Sequence, residues 1–308
     1  MPSKCDISIC ISSYKARDFL IQCLESVYAT PPSVPYEVIV VNDYSEDGTA
    51  EAVMSRFPDV NFSENPGPVG IAKGFNMVFA QAQGRYLAQI SADVEVRPGA
   101  IDTLYTFMEA HPEAGMAGSR NLNPDYTLQP SGRRFPTLWS VIKNKVMYHV
   151  KPAADYYTMP YRNYDQVEEV DEMPNACLII RREAYEEVGG LDENLKRYYD
   201  DIEWCFRIKG GGWKIYYVPA AEAIHHCYFE QFRAAAYLIQ MGYFSELYVF
   251  KKHFRPWEFT IMRLVEISEL SLRMVKWILS FFIKPAERKA NQERLRIGWQ
   301  TIKMALSM

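Results

Sequence analysis

The chain has 308 residues, 48% of them hydrophobic and 23% charged, with a formal net charge of −4. This excludes a disordered chain and leaves room for a sizeable core, in one large domain with an appendage or in two domains. The net charge hides an asymmetry: from Ser245 onward 12 basic side chains stand against 6 acidic ones, leaving 22 against 32 before it. A basic tail with this aromatic and aliphatic content suits an anionic membrane surface better than nucleic acid.

Strand and helix patterns alternate from the start. Asp6 to Ser12 reads as an Ile-rich strand, and Asp18 to Ala29 follows with Phe19, Leu20, Cys23, Leu24 and Val27 at helical spacing until Pro31-Pro32. Tyr36 to Val41 predicts a second strand, Thr49 to Arg56 a helix, Val60 to Phe62 a short strand and Ile71 to Gln83 a helix closed by Gly84. The apolar run Tyr86 to Ile90 is a further strand, delivering Asp93. Ser119 to Tyr164 is less regular and reads as a substrate-facing excursion. Cys177 to Arg181 resumes as a strand, Arg182 to Val188 as a helix stopped by Gly189-Gly190, and another helix begins near Asp201. Lys214 to Val218 is a final strand ending at Pro219, before His225-His226. Such repeated units predict an α/β fold with a mainly parallel sheet covered on both faces.

Six cysteines without C-x-x-C spacing, and an N-terminus without a signal-peptide layout, suit reduced thiols in the cytoplasm. Between Arg263 and Lys284, polar residues Arg263, Glu266, Arg273, Lys276, Ser280 and Lys284 recur at helical spacing, with Leu264, Ile267, Leu270, Met274, Trp277, Ile278 and Phe281 between them. This amphipathic helix is expected to lie on the inner face of a membrane, or to pack on its own domain or a second copy of the chain.

Three acidic segments end or follow apolar runs: Val41 to Thr49, Ser91 to Val94 and Tyr199 to Cys205. Carboxyl ends of parallel strands are where open α/β sheets bind ligands. Asp43 there suits a nucleobase or ribose, whereas Ser45 and Asp47 read most simply as helix caps. Asp93 suits Mg²⁺ or Mn²⁺ completed by phosphate oxygens and water, or is a solvated turn acid. Asp200, Asp201 and Glu203 share the first turn of a helix, where the macrodipole favours negative charge. His225 offers an imidazole to the same metal, or is structural.

Together these segments resemble the inverting glycosyltransferases of family 2, with their nucleotide-diphospho-sugar-binding GT-A fold, and among them bacterial rhamnosyltransferases. The resemblance runs from Ile7 to about His226 on motifs in order: Ile9 to Tyr14, Val41 to Thr49, Asn65-Pro66-Gly67 through Asn76, Ser91 to Val94, Gly189 to Glu193, Asp200 to Arg207, and Val218 to His225. It implies a catalytic domain over 1–230 and a helical region over 231–308. It further implies Asp201 as the base, with Asp200 beside it. Ser12, Tyr14, Asp43, Gly70, Lys73, Asn76, Ala92 and Asp93 would contact the nucleotide sugar, and Asp93 and His225 the metal. Arg133, Arg134, Asn175 and Glu203 would contact acceptor or diphosphate. The implied reaction moves one sugar from a UDP or dTDP donor to a glycan or lipid-linked hydroxyl. The chain departs from the family pattern at three places: Ser91 for an acidic or amide residue, Asn175 for Gly, and Asp200 for Glu. A processive Q-x-x-R-W signature is absent, which favours single-sugar addition. The rival readings are a sugar-phosphate nucleotidyltransferase, whose Gly-rich N-terminal loop is missing from Ile9 to Arg17, and a non-catalytic nucleotide-sugar-binding scaffold.

Overall fold

The computed structural model describes residues 5–148, 163–227 and 236–308. They belong to two compact units, a sheet unit drawn from Met1–Phe135, Thr158–Lys196 and Asp200–Tyr228, and a helical unit drawn from Pro136–Tyr157, Arg197–Tyr199 and Phe229–Met308. The boundary near residue 230 expected from the sequence, and the later part of the 119–164 excursion, lie outside the described residues.

The sheet unit opens with β1 (Cys5–Ser13), α1 (Arg17–Ala29), β2 (Tyr36–Asn42), α2 (Thr49–Arg56), β3 (Asn61–Glu64), α3 (Ile71–Gln81) and β4 (Gly84–Ser91). β5 (Val94–Val96), α4 (Ala100–Ala110), β6 (Ala114–Leu122) and β7 (Leu128–Gln129) follow. α5 (Leu138–Tyr148) belongs to the helical unit; β8 (Glu168–Val170), β9 (Cys177–Arg181), α6 (Arg182–Val188), α7 (Asp200–Gly210) and β10 (Lys214–His225) complete the sheet unit.

The ten strands form one sheet with the path β3-β2-β1-β4-β9-β6-β10-β5, β7 pairing with β6 and β8 with β10. Its first half is parallel, as the repeated βα pattern predicts. β9 then enters antiparallel to both β4 and β6, so the whole sheet is mixed. The strand alternation feeds two cores. Ile7, Ile9, Ile11, Val38 and Val40 pack with Leu20, Leu24 and Val27 of α1, while Cys10, Ile39 and Val41 pack with Phe75, Val78 and Phe79 of α3. All six cysteines are free thiols.

Two boundaries differ from the sequence reading. Gly84 does not cap the preceding helix, which ends at Gln81; it starts β4, where a Cβ would lie 2.4 Å from the Ser8 nitrogen. β10 runs through Pro219 to His225, because a register shift between Val218 and Glu222 puts the proline in a bulge, where no ladder donor is needed.

The helical unit contains α5, α8 (Ala236–His253), α9 (Pro256–Ile283), a 3₁₀ turn at Pro285–Glu287 and α10 (Arg288–Ser307). Leu138, Val141, Leu247, Phe250, Met262 and Ala305 form its main apolar cluster. Beside it Lys145 Nζ meets Glu246, Glu266 and Glu269 at 2.9, 2.8 and 3.3 Å. Burial and the neighbouring Glu246 carboxylate push Glu266 upward, whereas Lys145 overcomes burial to hold Glu246 at about 2. The Tyr199 hydroxyl donates to Glu246 at 2.6 Å.

Ile267, Leu270, Met274 and Trp277 of α9 pack inward as the spacing predicts, and the expected stripe fails at three positions. Glu266, assigned to the polar stripe, is 2% exposed, while Leu264 and Ile278, assigned to the apolar side, are open. Leu264, Leu272, Val275, Leu279, Phe282 and Ile283 together form an exposed apolar stripe. No helix among the described residues is long and apolar enough to cross a membrane.

Candidate active site

Because β1, β2 and β4 run parallel, the segments after them emerge at one edge of the sheet. After β1, which ends at Ser13, come Tyr14 and Lys15; after β2, Asp43; after β4, Ala92 and Asp93. β9 runs the opposite way and pairs Cys177 with Ile90, so its leading residues Asn175 and Ala176 reach the same edge. β10 delivers His225 opposite Val94.

The segments after β1 and β2, where the sequence places the nucleotide, are stitched by backbone and side chain. The Asp43 amide donates to the Ser13 carbonyl at 2.6 Å, and the Ser45 hydroxyl links the Lys15 amide to Asn42. Ser45 therefore joins two loops, and neither it nor Asp47 is the cap of α2: the N-cap is Gly48, with Asp47 before it accepting from the Thr49 amide and hydroxyl. The buried Asp43 carboxylate accepts from Asn65 at 3.0 Å and from the Val69 and Gly70 amides at 2.8 and 2.9 Å. It thereby braces the loop carrying Gly70, whose φ of +91° suits glycine. Of about four carboxylate acceptor positions, roughly one is left for a ligand. Tyr14 and Lys73 are exposed, and Ser12 lies under α3, its hydroxyl 2.4 Å from where a Cβ on Gly74 would be. Asn76 is engaged elsewhere: it exchanges two hydrogen bonds of 2.8 Å with the Leu191 backbone and donates to Glu193.

At the centre, Asp93 Oδ1 lies 3.6 Å from His225 Nε2. Gln129, which the sequence reading missed, orients the imidazole. Its amide nitrogen donates to Asn123 and to the His225 carbonyl, so its oxygen faces His225 Nδ1 at 2.9 Å and must accept from it. In the neutral ring Nε2 then carries the lone pair on the Asp93 side, the arrangement a metal-binding imidazole requires. A carboxylate oxygen and an imidazole nitrogen fit a divalent cation whose remaining positions go to phosphate and water. Among the described residues no set of three or more His, Cys, Asp or Glu side chains gathers as a metal centre.

Where the sequence places the acceptor, α7 begins with Asp200 and Asp201. The Asn175 amide nitrogen donates to Asp200 Oδ2 at 2.9 Å, and the Ser91 hydroxyl donates to the Asn175 carbonyl. Burial raises the Asp201 carboxyl above its ordinary value of 3.8, against the opposing pull of Arg133 and the backbone amides of Ile202, Asp201 and Asn175. Glu172, another residue missed in the sequence, exchanges backbone hydrogen bonds with Arg133 and lies 1% exposed beside it. Its signal was only a short acidic tract after the irregular segment.

Two expected acceptor contacts are otherwise engaged. Fully buried Glu203 binds the Arg207 guanidinium at 2.8 and 2.9 Å, and Arg207 in turn caps the carbonyls of Val188 and Gly190 at 2.6 Å. Residues two apart on a helix do not face each other, so Asp201 and Glu203 diverge. Arg134 points to a solvated acidic edge, 3.8 Å from both Glu168 and Asp171.

The mixed α/β sheet, with these carboxylates along one rim, has the fold of the GT-A glycosyltransferases. The chain belongs to glycosyl transferase family 2, whose profile matches residues 8–189. It is 29% identical over 207 residues to the N-acetylglucosaminyl-diphospho-decaprenol L-rhamnosyltransferase of Mycobacterium tuberculosis, covering 62% of this chain and 67% of that one. Among solved structures it resembles the Pyrobaculum calidifontis mannosyltransferase in complex with GDP-Man and Mn²⁺ (TM-score 0.53, 17% identity, 98% of this chain and 88% of that one). It also resembles GalNAc-T7 with UDP, GalNAc and Mn²⁺ (TM-score 0.55, 15% identity, 72% of this chain), of which it spans 43%. The chain is thus a glycosyltransferase by family.

Proposed function

We propose that the protein moves one sugar from a nucleoside-diphosphate sugar, of dTDP or UDP type, to a hydroxyl of a lipid-linked glycan, with inversion. The observation that carries this reading is the hydrogen-bonded run from Ser91, two residues before Asp93, through Asn175 to Asp200, the neighbour of Asp201. It joins a diphosphate end and an acceptor end on one rim. The similarity to a rhamnosyltransferase acting on a diphospho-decaprenol substrate supports the donor and acceptor classes.

In this scheme Asp201 takes the proton of the attacking hydroxyl, a task suited to a carboxyl raised by burial toward the working pH. Single displacement inverts the anomeric carbon. Asp93 and His225 would hold Mg²⁺ or Mn²⁺, which when bound supplies positive charge to the departing diphosphate. The Mn²⁺ in both solved relatives supports that cofactor. Residues 1–230 carry catalysis, and the exposed stripe of α9 attaches 231–308 to an anionic membrane, at its cytoplasmic face.

Calorimetric titration with dTDP-L-rhamnose, UDP-GlcNAc and GDP-mannose, with Mn²⁺ and with chelator, tests the donor class. Transfer to N-acetylglucosaminyl-diphospho-decaprenol, with the product anomer read by NMR, tests the reaction. Donor binding without hydrolysis or transfer would make the protein a scaffold, and a retained anomer would end the single-displacement scheme.

A further inference from the structure

The three positions at which the chain departs from its family pattern, Ser91, Asn175 and Asp200, are hydrogen-bonded to one another. The Ser91 hydroxyl donates to the Asn175 carbonyl, the Ser91 amide donates to the Ala176 carbonyl at 2.8 Å, and the Asn175 side chain donates to Asp200 at 2.9 Å. Asn175 also has its backbone amide directed at Asp201. One residue therefore handles both members of the carboxylate pair, in different ways. Asp200, 6% exposed, is held by a side chain. Asp201, partly buried, has its carboxylate oxygen on the Ile202 amide of its own helix start.

The orientation of the Asn175 amide follows from chemistry. An ionised carboxylate only accepts, so the group facing Asp200 is the NH₂ and the carbonyl oxygen points away from it. That Oδ1 atom is buried and accepts no hydrogen bond among the described residues. A buried acceptor left empty costs about 1–3 kcal/mol, and a substrate hydroxyl would satisfy it.

We propose that Asn175 is the positioning residue of the acceptor site: its amide nitrogen fixes Asp200, leaving Asp201 as the base, and its amide oxygen receives a hydroxyl of the acceptor sugar. A glycine here, as in the family pattern, has neither group, so this chain uses a side chain where that pattern has none.

This rests on the glycosyltransferase reading, and the test separates the two. In Asn175→Ala, hydrogen–deuterium exchange of the first turn of α7 should rise while β1, β2 and β4 stay protected. With dTDP-L-rhamnose and N-acetylglucosaminyl-diphospho-decaprenol, the acceptor KM should rise about tenfold, donor Kd should stay within twofold, and kcat should fall about tenfold, as expected for one lost hydrogen bond at each end of the amide. Asn175→Asp, close in shape, keeps an acceptor oxygen but sets a carboxylate against Asp200, and should lose more turnover than the alanine variant. Unchanged exchange in Asn175→Ala, wild-type turnover in Asn175→Asp, or raised exchange with unaltered acceptor KM would each overturn the proposal. Were the wild-type protein inactive with every donor tried, the functional reading would fail while the exchange measurement still decided whether Asn175 fixes Asp200.

Discussion

Glu203→Gln separates a structural carboxylate from a catalytic one within a single helical turn. Glu203 is fully buried and Arg207 only 21% exposed, and the guanidinium makes three contacts of 2.8 or 2.9 Å with the carboxylate. Breaking a buried pair from one side costs about 3–5 kcal/mol. Arg207 keeps its bonds to the Val188, Gly189 and Gly190 carbonyls and some solvent, so the expected loss is nearer 2–3 kcal/mol, roughly 5–10 °C in Tm. Far-ultraviolet circular dichroism on heating measures the shift, and transfer kinetics well below the transition measure the consequence for catalysis. Turnover should stay within about threefold of wild type, because Glu203 and Asp201 lie on diverging faces of α7. A Tm shift below about 1 °C combined with a tenfold or greater loss of turnover would refute the clamp and return Glu203 to the acceptor site.

Asp201→Asn should lower kcat by about 10² or more while donor affinity stays within a few fold; near-normal turnover would remove Asp201 as the base. Because the base must be ionised and burial raises its carboxyl above 3.8, kcat/KM of the wild-type enzyme should fall as pH drops through that raised value, with a midpoint above the range of exposed aspartates. Asp93→Ala should weaken dTDP or UDP binding in Mn²⁺ and change little in chelator; equal losses in both would make Asp93 a direct ligand contact. Leu279→Glu with Phe282→Glu, both on the exposed stripe of α9, should abolish sedimentation with anionic vesicles without altering donor binding, and wild-type binding should weaken with salt. If the wild-type protein ignores such vesicles and the double variant instead changes oligomeric state, the stripe is an interface between copies.

The parallel half of the sheet was legible because its strands are Ile- and Val-rich and its turns carry Pro, Gly and capping residues; α2 has the predicted bounds Thr49–Arg56. β6 was not, since Ala114-Gly115-Met116-Ala117-Gly118 has no β-branched residue. Its glycines answer to packing: a Cβ would lie 2.6 Å from Trp213 at Gly115 and 2.2 Å from Met173 at Gly118. The carboxylates at strand ends were visible as a pattern, but their partners were not. Asn76 and Glu203 carry motif positions yet bind Leu191 and Arg207, which only the tertiary fold brings near or orients. In α9 the spacing revealed an amphipathic helix and the inward place of Ile267, Leu270, Met274 and Trp277. It did not reveal that Glu266 is buried, because that depends on Lys145, over a hundred residues earlier, meeting Glu246, Glu266 and Glu269.

The antiparallel entry of β9 has a consequence for biosynthesis. β4 ends at Ser91, but the strand that covers its outer edge starts at Cys177. At about 5–20 residues per second, a ribosome needs several seconds to add the intervening chain. Throughout that interval the nascent β3-β2-β1-β4 sheet presents Tyr86, Leu87, Ala88 and Ile90 along an unpaired edge, a template for pairing with a neighbouring nascent chain. Slower translation between codons 92 and 177 should therefore lower soluble yield, and chaperone capture of ribosome-bound intermediates should fall once residue 181 has cleared the exit tunnel.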